Sequence, residues 1–225
     1  MVAASEHGPL PGLLIGLTVV TGLVDAFSYL TLGHVFVANM TGNVVFFGFA
    51  LAGVGGVSAV ASLLAIVAFV VGAALGGRLV REPRPHRGLL LAAACLGQAV
   101  LVLASAIVVS VAGTGSLAAR LVLVTLLALT MGGQNAVVRR LAVPDLTTTV
   151  LTLTVTGLVA DTSPTPVRIR RLLAVLAMLT GALAGGVLLR WGATPAPLWL
   201  ATVLLLACAA GAYAGARSPH STAWR

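Results

Sequence analysis

The sequence predicts an all-α integral membrane protein: six full transmembrane helices plus two shorter, broken or re-entrant segments, arranged as two inverted repeats. All of it forms a single transmembrane domain, residues 1–225. Three observations predict this class. Composition is the first: 59% of residues are hydrophobic and 8% charged, with mean hydropathy +1.10, whereas a soluble domain has about a quarter of its residues charged. The second is run length. No Asp, Glu, Lys or Arg occurs from Ala26 to Gly77, and at about 1.5 Å per helical residue that stretch can cross a ~30 Å hydrocarbon core more than once. The third is self-similarity. Gly72-Ala73-Ala74-Leu75-Gly76-Gly77 returns as Gly181-Ala182-Leu183-Ala184-Gly185-Gly186, shifted by 109 residues. Gly22-Leu23-Val24-Asp25-Ala26 is echoed by Gly132-Gly133-Gln134-Asn135-Ala136, shifted by 110, and Asn39–Asn43 aligns loosely with Val150–Thr154, shifted by 111. Landmarks kept in order at nearly one offset indicate duplicated halves, repeat 1 about 10–111 and repeat 2 about 117–216.

Taken in chain order, Leu10–Leu32 is the first span. No basic segment precedes it and no small-residue cleavage site follows it promptly, so it reads as a retained helix and not a signal peptide. His34–Gly53 is apolar enough for a membrane but is interrupted by Asn, Thr and Gly. Val57–Gly77 and Gly88–Val111 are the next full spans, parted by Arg78–Arg87 with Pro83 and Pro85. Gly113–Ser116 turns the chain into Leu117–Val138. Arg139–Asp145, with Pro144, leads to the second interrupted segment, Leu146–Ala160. Asp161–Arg171 precedes the span Leu172–Leu189, and Arg190–Pro197 precedes Leu198–Ala216. Only helices or closed barrels satisfy their backbone in lipid, and runs of Leu, Ala and Val without alternation favour helices. Gly72-xxx-Gly76, Gly181-xxx-Gly185 and Gly211-xxx-Gly215 suit close helix packing.

Charge decides how many segments cross. Every basic residue other than histidine is arginine, and formal net charge is +8. Eight crossings would split the thirteen arginines seven to six, whereas six crossings place eleven on one side and leave Arg120 and Arg190 opposite. The positive-inside rule selects six, with both termini cytoplasmic. The same distribution argues against nucleic acid as a partner, because no basic patch interleaved with aromatics is present. Cys95 and Cys208 lie far apart within apolar runs and read as small core residues.

The candidate site is polar sequence inside apolar sequence. Asp25 is the only acid well within a span. A carboxylate at a helix centre costs roughly 2.5–3.5 kcal/mol on insertion scales, so it must face the interior, be protonated, or pair with a neighbour. It is either a proton- or cation-coupled site or a hydrogen-bond anchor. Asn39, Thr41 and Asn43 surround Gly42, and a half-helix from Val44 capped by Asn43 would present its positive end inside the membrane. Gln134 and Asn135 occupy the equivalent of the Asp25 region in the second repeat, where the neutral Asn135 makes any site asymmetric. Thr147, Thr148, Thr149, Thr152, Thr154 and Thr156 make the second interrupted segment hydroxyl-rich. No catalytic triad, Cys/His pair, zinc spacing or phosphate-cradling loop is present in the sequence, so no catalytic residue, metal ligand or cofactor is assigned.

Gly22–Leu30 together with Val35–Asn43 resembles the signature of the YoaK-like family of bacterial membrane proteins, and Gly132–Ala136 with the Thr147–Thr154 run resembles its second signature. Leu153 stands where that second signature tends to carry glycine. The resemblance implies a multi-span protein of the bacterial inner membrane. From the residues, the expected function is a non-enzymatic transporter or channel for a small solute or ion, lined by Asp25, Asn39, Thr41, Asn43, Gln134 and Asn135. Its partners would be the lipid bilayer, that solute, and a second copy of the chain. The alternative is a scaffold or assembly protein whose polar cluster only fixes helix packing.

Overall fold

A computed structural model describes residues 10–79, 86–141 and 151–218. Among these the chain forms helices α1 (Leu10–Thr31), α2 (Met40–Leu51), α3 (Ala59–Leu79), α4 (Arg87–Ala112), α5 (Leu117–Leu141), α6 (Leu151–Ala160), α7 (Thr165–Arg190) and α8 (Ala196–Arg217). Six are long and apolar enough to cross a membrane. α2 and α6, of 12 and 10 residues, extend about 18 and 15 Å, too short for a ~30 Å core.

Helix direction follows from which residues meet. A Cβ added to Gly22 would strike the backbone of Met178 and Ala182, and one on Gly185 would meet Ala26. Both chains advance together, so α1 and α7 are parallel. Gly72 lies against Leu129 and Gly76 against Gly133 and Ala136, so α3 and α5 are parallel too. α1 runs against α8, since Gly16 meets Cys208 and Gly211 meets Leu13. Trp199 Nε1 donates to Ser110 Oγ at 3.3 Å, joining the start of α8 to the end of α4. Arg87 donates to the Leu141 carbonyl while Gln98 meets Thr130 and Gln134, so α4 and α5 are antiparallel. Along the chain, α1, α3, α4, α5, α7 and α8 therefore alternate in direction. α1 and α3 oppose one another with α2 between them, which requires α2 to return to the side it entered from.

Packing is exchanged between the halves. α1, opening the first half, lies on α7 of the second; α5, opening the second half, lies on α3 of the first. Glycine supplies the reason. At Gly22, Gly72, Gly132 and Gly181 an added Cβ would overlap backbone atoms of the facing helix, and such close approach is what holds helices together where lipid removes a hydrophobic drive.

Two boundaries differ from the sequence reading. α2 begins at Met40, so Asn43 lies inside the helix and is not its cap; the chain is interrupted earlier, across residues 32–39. α7 begins at Thr165 and absorbs Arg168, Arg170 and Arg171, because Pro164 and Pro166 start a helix well where no intrahelical N–H bond is needed.

Candidate functional site

The site is built where α1 ends and the chain turns back. Gly33 and His34 take positive φ values of 95° and 59°, left-handed conformations that glycine adopts freely and other residues rarely. His34 is held there edge-on to the Tyr29 ring, with centroids 5.1 Å apart. Beyond this reversal residues 35–39 descend beside α1. Tyr29, Phe36 and Phe46 stack at 4.8 and 5.9 Å, fastening the descending segment and α2 to α1. Gly42 leaves the space into which the Phe36 ring fits.

Asp25 and Asn43 grip consecutive residues of this descent. Asp25, 6% exposed, accepts the Val37 and Ala38 amides on Oδ1 at 3.0 and 2.9 Å. Fully buried Asn43 accepts the Phe36 amide at 3.0 Å and donates to the Phe36 carbonyl at 2.6 Å. Three successive backbone amides and one carbonyl, the amides of Val37 and Ala38 buried, thus find side-chain partners. Asp25 sits six residues before the end of α1, about 9 Å inward along the axis. The short helix α2 consequently starts well below the end of α1. Asn39 stands at its N-cap without a side-chain cap bond, and both Asn39 and Thr41 are exposed. Of the first-repeat candidates, Asp25 and Asn43 converge on one loop while Asn39 and Thr41 face outward from it.

The second-repeat candidates belong to a neighbouring system. Gln134 Nε2 donates to Thr21 Oγ1 at 3.1 Å, one helical turn before Asp25 on the same face of α1. Gln98 Nε2 donates to Gln134 Oε1 at 3.0 Å, and Thr21 Oγ1 donates to the Leu17 carbonyl at 3.0 Å. The resulting chain of hydrogen bonds ties α4, α5 and α1 together. Gln98 Oε1 is buried without a hydrogen-bond partner among the described residues, at a packing gap lined in part by Leu17, Cys95, Gln98 and Gln134 that has no room for a water molecule. Asn135 donates to the Met131 carbonyl of its own helix at 2.9 Å. Thr156 likewise bonds back to Thr152, and Thr147, Thr148 and Thr149 lie outside the described residues.

Sequence reasoning passed over Thr21, Gln98 and Arg171. Gln98 and Gln134 are the chain's two glutamines, each the sort of amide in a span that needs a partner, and that shared need was a usable signal. Arg171, which the sequence pattern assigns to the Asp161–Arg171 connection, is 8% exposed within α7. It donates to the Gly157 carbonyl and to Ser163 Oγ, and its ion pair with Asp161 measures 2.9 Å. This fork pins the end of α6 to α7. Among the described residues no group of three or more His, Cys, Asp or Glu could hold a metal ion.

Comparison with known proteins agrees with the fold. A family model described as "Protein of unknown function (DUF1275)" matches residues 13–211. The UPF0700 transmembrane protein YoaK of Bacillus subtilis (strain 168) is 30% identical over 163 residues, covering 72% of this chain and 70% of that protein. No solved structure matches. With a family model matching over most of its length and a transmembrane relative at that identity, the chain belongs to the DUF1275 family and is a YoaK-like polytopic membrane protein.

Proposed function

We propose that this protein is a non-enzymatic transporter or channel of the bacterial inner membrane, moving a small solute or ion through a site between two inverted repeats. Both termini are cytoplasmic in this reading. The observation that carries it is the setting of Asp25: a single carboxylate within a membrane span, holding the tip of a segment that dips inward and gives rise to a half-length helix. Discontinuous helices meeting at an ionisable residue near the membrane interior are how secondary transporters assemble binding sites, and intramembrane carboxylates mark ion and proton paths. In this reading Asn39, Thr41 and Asn43 at the start of α2 supply polar lining beside Asp25, and Gln134 and Asn135 contribute from α5, where Gln134 reaches Thr21 one turn below Asp25. Opposed directions of equivalent helices in the two halves, and their exchanged packing, support the inverted arrangement.

A scaffold role is favoured by one fact: Asp25 Oδ1 is fully spent on two backbone amides. Purified protein is first screened for thermal stabilisation by a panel of metabolites and ions, since a ligand that binds the folded state alone raises its stability. Flux of each hit is then measured in proteoliposomes for wild type and Asp25→Asn. Transport through Asp25 predicts folded protein with flux lost. Undiminished flux in Asp25→Asn removes the carboxylate from the mechanism, and a panel with neither binding nor flux supports the scaffold.

A further inference from the structure

Arginine is gathered at one end of the bundle. By helix direction, Arg78, Arg87, Arg139, Arg140, Arg168, Arg170, Arg171 and Arg217 share that end, and Arg120 and Arg190 lie at the other. The acid at the crowded end among the described residues is Asp161, already paired with Arg171. Three of the arginines meet where α3 and α5 finish. Because Gly76 packs on Gly133 and Ala136, Arg78 comes level with Arg139 and Arg140. All three are exposed, and none is in an ion pair among the described residues. Arg87 ties the start of α4 into the same corner through the Leu141 carbonyl.

The helix dipole favours cations at the ends of α3 and α5, but it does not explain what adjoins them. Leu63, Val67, Val70, Val71 and Leu75 form one exposed stripe down α3 that leads to Arg78, each between 44% and 58% exposed. The stripe and its arginine extend about 22 Å along the helix axis. Beside Arg78, Gly77 is exposed and has open space where a Cβ would stand. An apolar track ending in guanidinium groups that have no ion-pair partner among the described residues matches an amphiphile with an anionic head. Guanidinium groups bind phosphate oxygens through forked N–H donors, whereas a zwitterionic choline head brings a cation into the same cluster.

We propose that Arg78, Arg139 and Arg140 form a headgroup site for an anionic phospholipid whose acyl chain lies along the α3 stripe. The opposite end serves as an internal control, because Arg120 donates to the Thr114 carbonyl at 2.6 Å and belongs to no comparable cluster. The test is lipid binding to the purified full chain in detergent, read by native mass spectrometry during titration with phosphatidylglycerol or phosphatidylcholine. Each arginine near an anionic surface contributes on the order of a factor of five, so wild type should prefer phosphatidylglycerol by about tenfold or more. The triple change Arg78→Gln, Arg139→Gln, Arg140→Gln should abolish that preference, and Arg120→Gln with Arg190→Gln should leave it intact. Should loss of charge disturb membrane insertion, the triple lysine variant keeps the charge and removes the forked contacts, and several-fold weaker binding is expected. Equal binding of the two lipids by wild type, a preference that survives the triple glutamine change, undiminished binding by the triple lysine variant, or equal competition by inorganic phosphate would overturn the proposal.

Discussion

At Asp25, the two carboxylate oxygens do different things. Oδ1 accepts both amides of the descending segment, and Oδ2 accepts no hydrogen bond among the described residues. Asp25→Asn can therefore keep its carbonyl on Val37 and Ala38 and place the new amide where Oδ2 was. Its unfolding free energy in detergent should fall by no more than ~1 kcal/mol. Asp25→Ala removes the acceptor and strands two buried N–H groups, each costing about 1–3 kcal/mol. It should unfold well below Asp25→Asn in a thermal melt. Equal melting of the two variants would show that these bonds do not hold the loop. The same reasoning applies to Asn43, whose amide satisfies both sides of Phe36.

Between elements, contact is decided by absent side chains. Gly72→Leu or Gly181→Leu must push apart α3 and α5, or α1 and α7, since the new atoms would meet backbone and not a flexible side chain. Overpacking of this kind typically costs 1–3 kcal/mol or more, whereas Gly186→Ala points into open space and should melt like wild type. At the α6–α7 junction, Arg171→Ala leaves the Gly157 carbonyl without that donor and should cost about 1–3 kcal/mol. Asp161 is 52% exposed, and its loss as Asp161→Asn should cost less than ~1 kcal/mol, as solvated ion pairs do. Thermal melts of these variants rank the contributions directly. Such contacts explain what the sequence could and could not disclose. Long apolar runs made the six spans legible, and repeated glycines marked the positions where helices touch. The exchange of partners between halves was not legible, because periodicity reports which face is small and not which helix will cover it. The placement of Asn43 inside α2 was missed for a related reason: Asn tolerates a turn locally, but here its amide was recruited by Phe36 seven residues earlier. Asp25 was recognisable as a residue needing partners, yet its partners are backbone amides, which carry no sequence signature.

For the whole molecule, alternating helix direction brings the start of α1 and the end of α8 to the arginine-rich end, with the 113–116 turn and the 191–195 turn at the other. In the orientation proposed above, the positive-inside rule puts the arginine-rich end in the cytoplasm. A cysteine scan checks this, because the native Cys95 and Cys208 are buried and can be replaced by alanine to give a silent background. Thr114→Cys and Thr194→Cys lie in the turns opposite the arginines, and Ser218→Cys follows the end of α8. In intact cells a membrane-impermeant maleimide should label the first two positions and spare the third. Permeabilisation should expose Ser218→Cys to the same reagent. Labelling of Thr114→Cys without Thr194→Cys would mean that an odd number of crossings separates the turns, so that α6 would have to span and the alternation of α5 and α7 would be broken. Labelling of Ser218→Cys alone in intact cells would keep the six-span bundle and reverse it. The reagent therefore reads crossing number and orientation independently, and the expected pattern, both turns outside and the α8 end inside, is the one that puts the Asp25 end of α1, and the dip that Asp25 holds, toward the extracytoplasmic side.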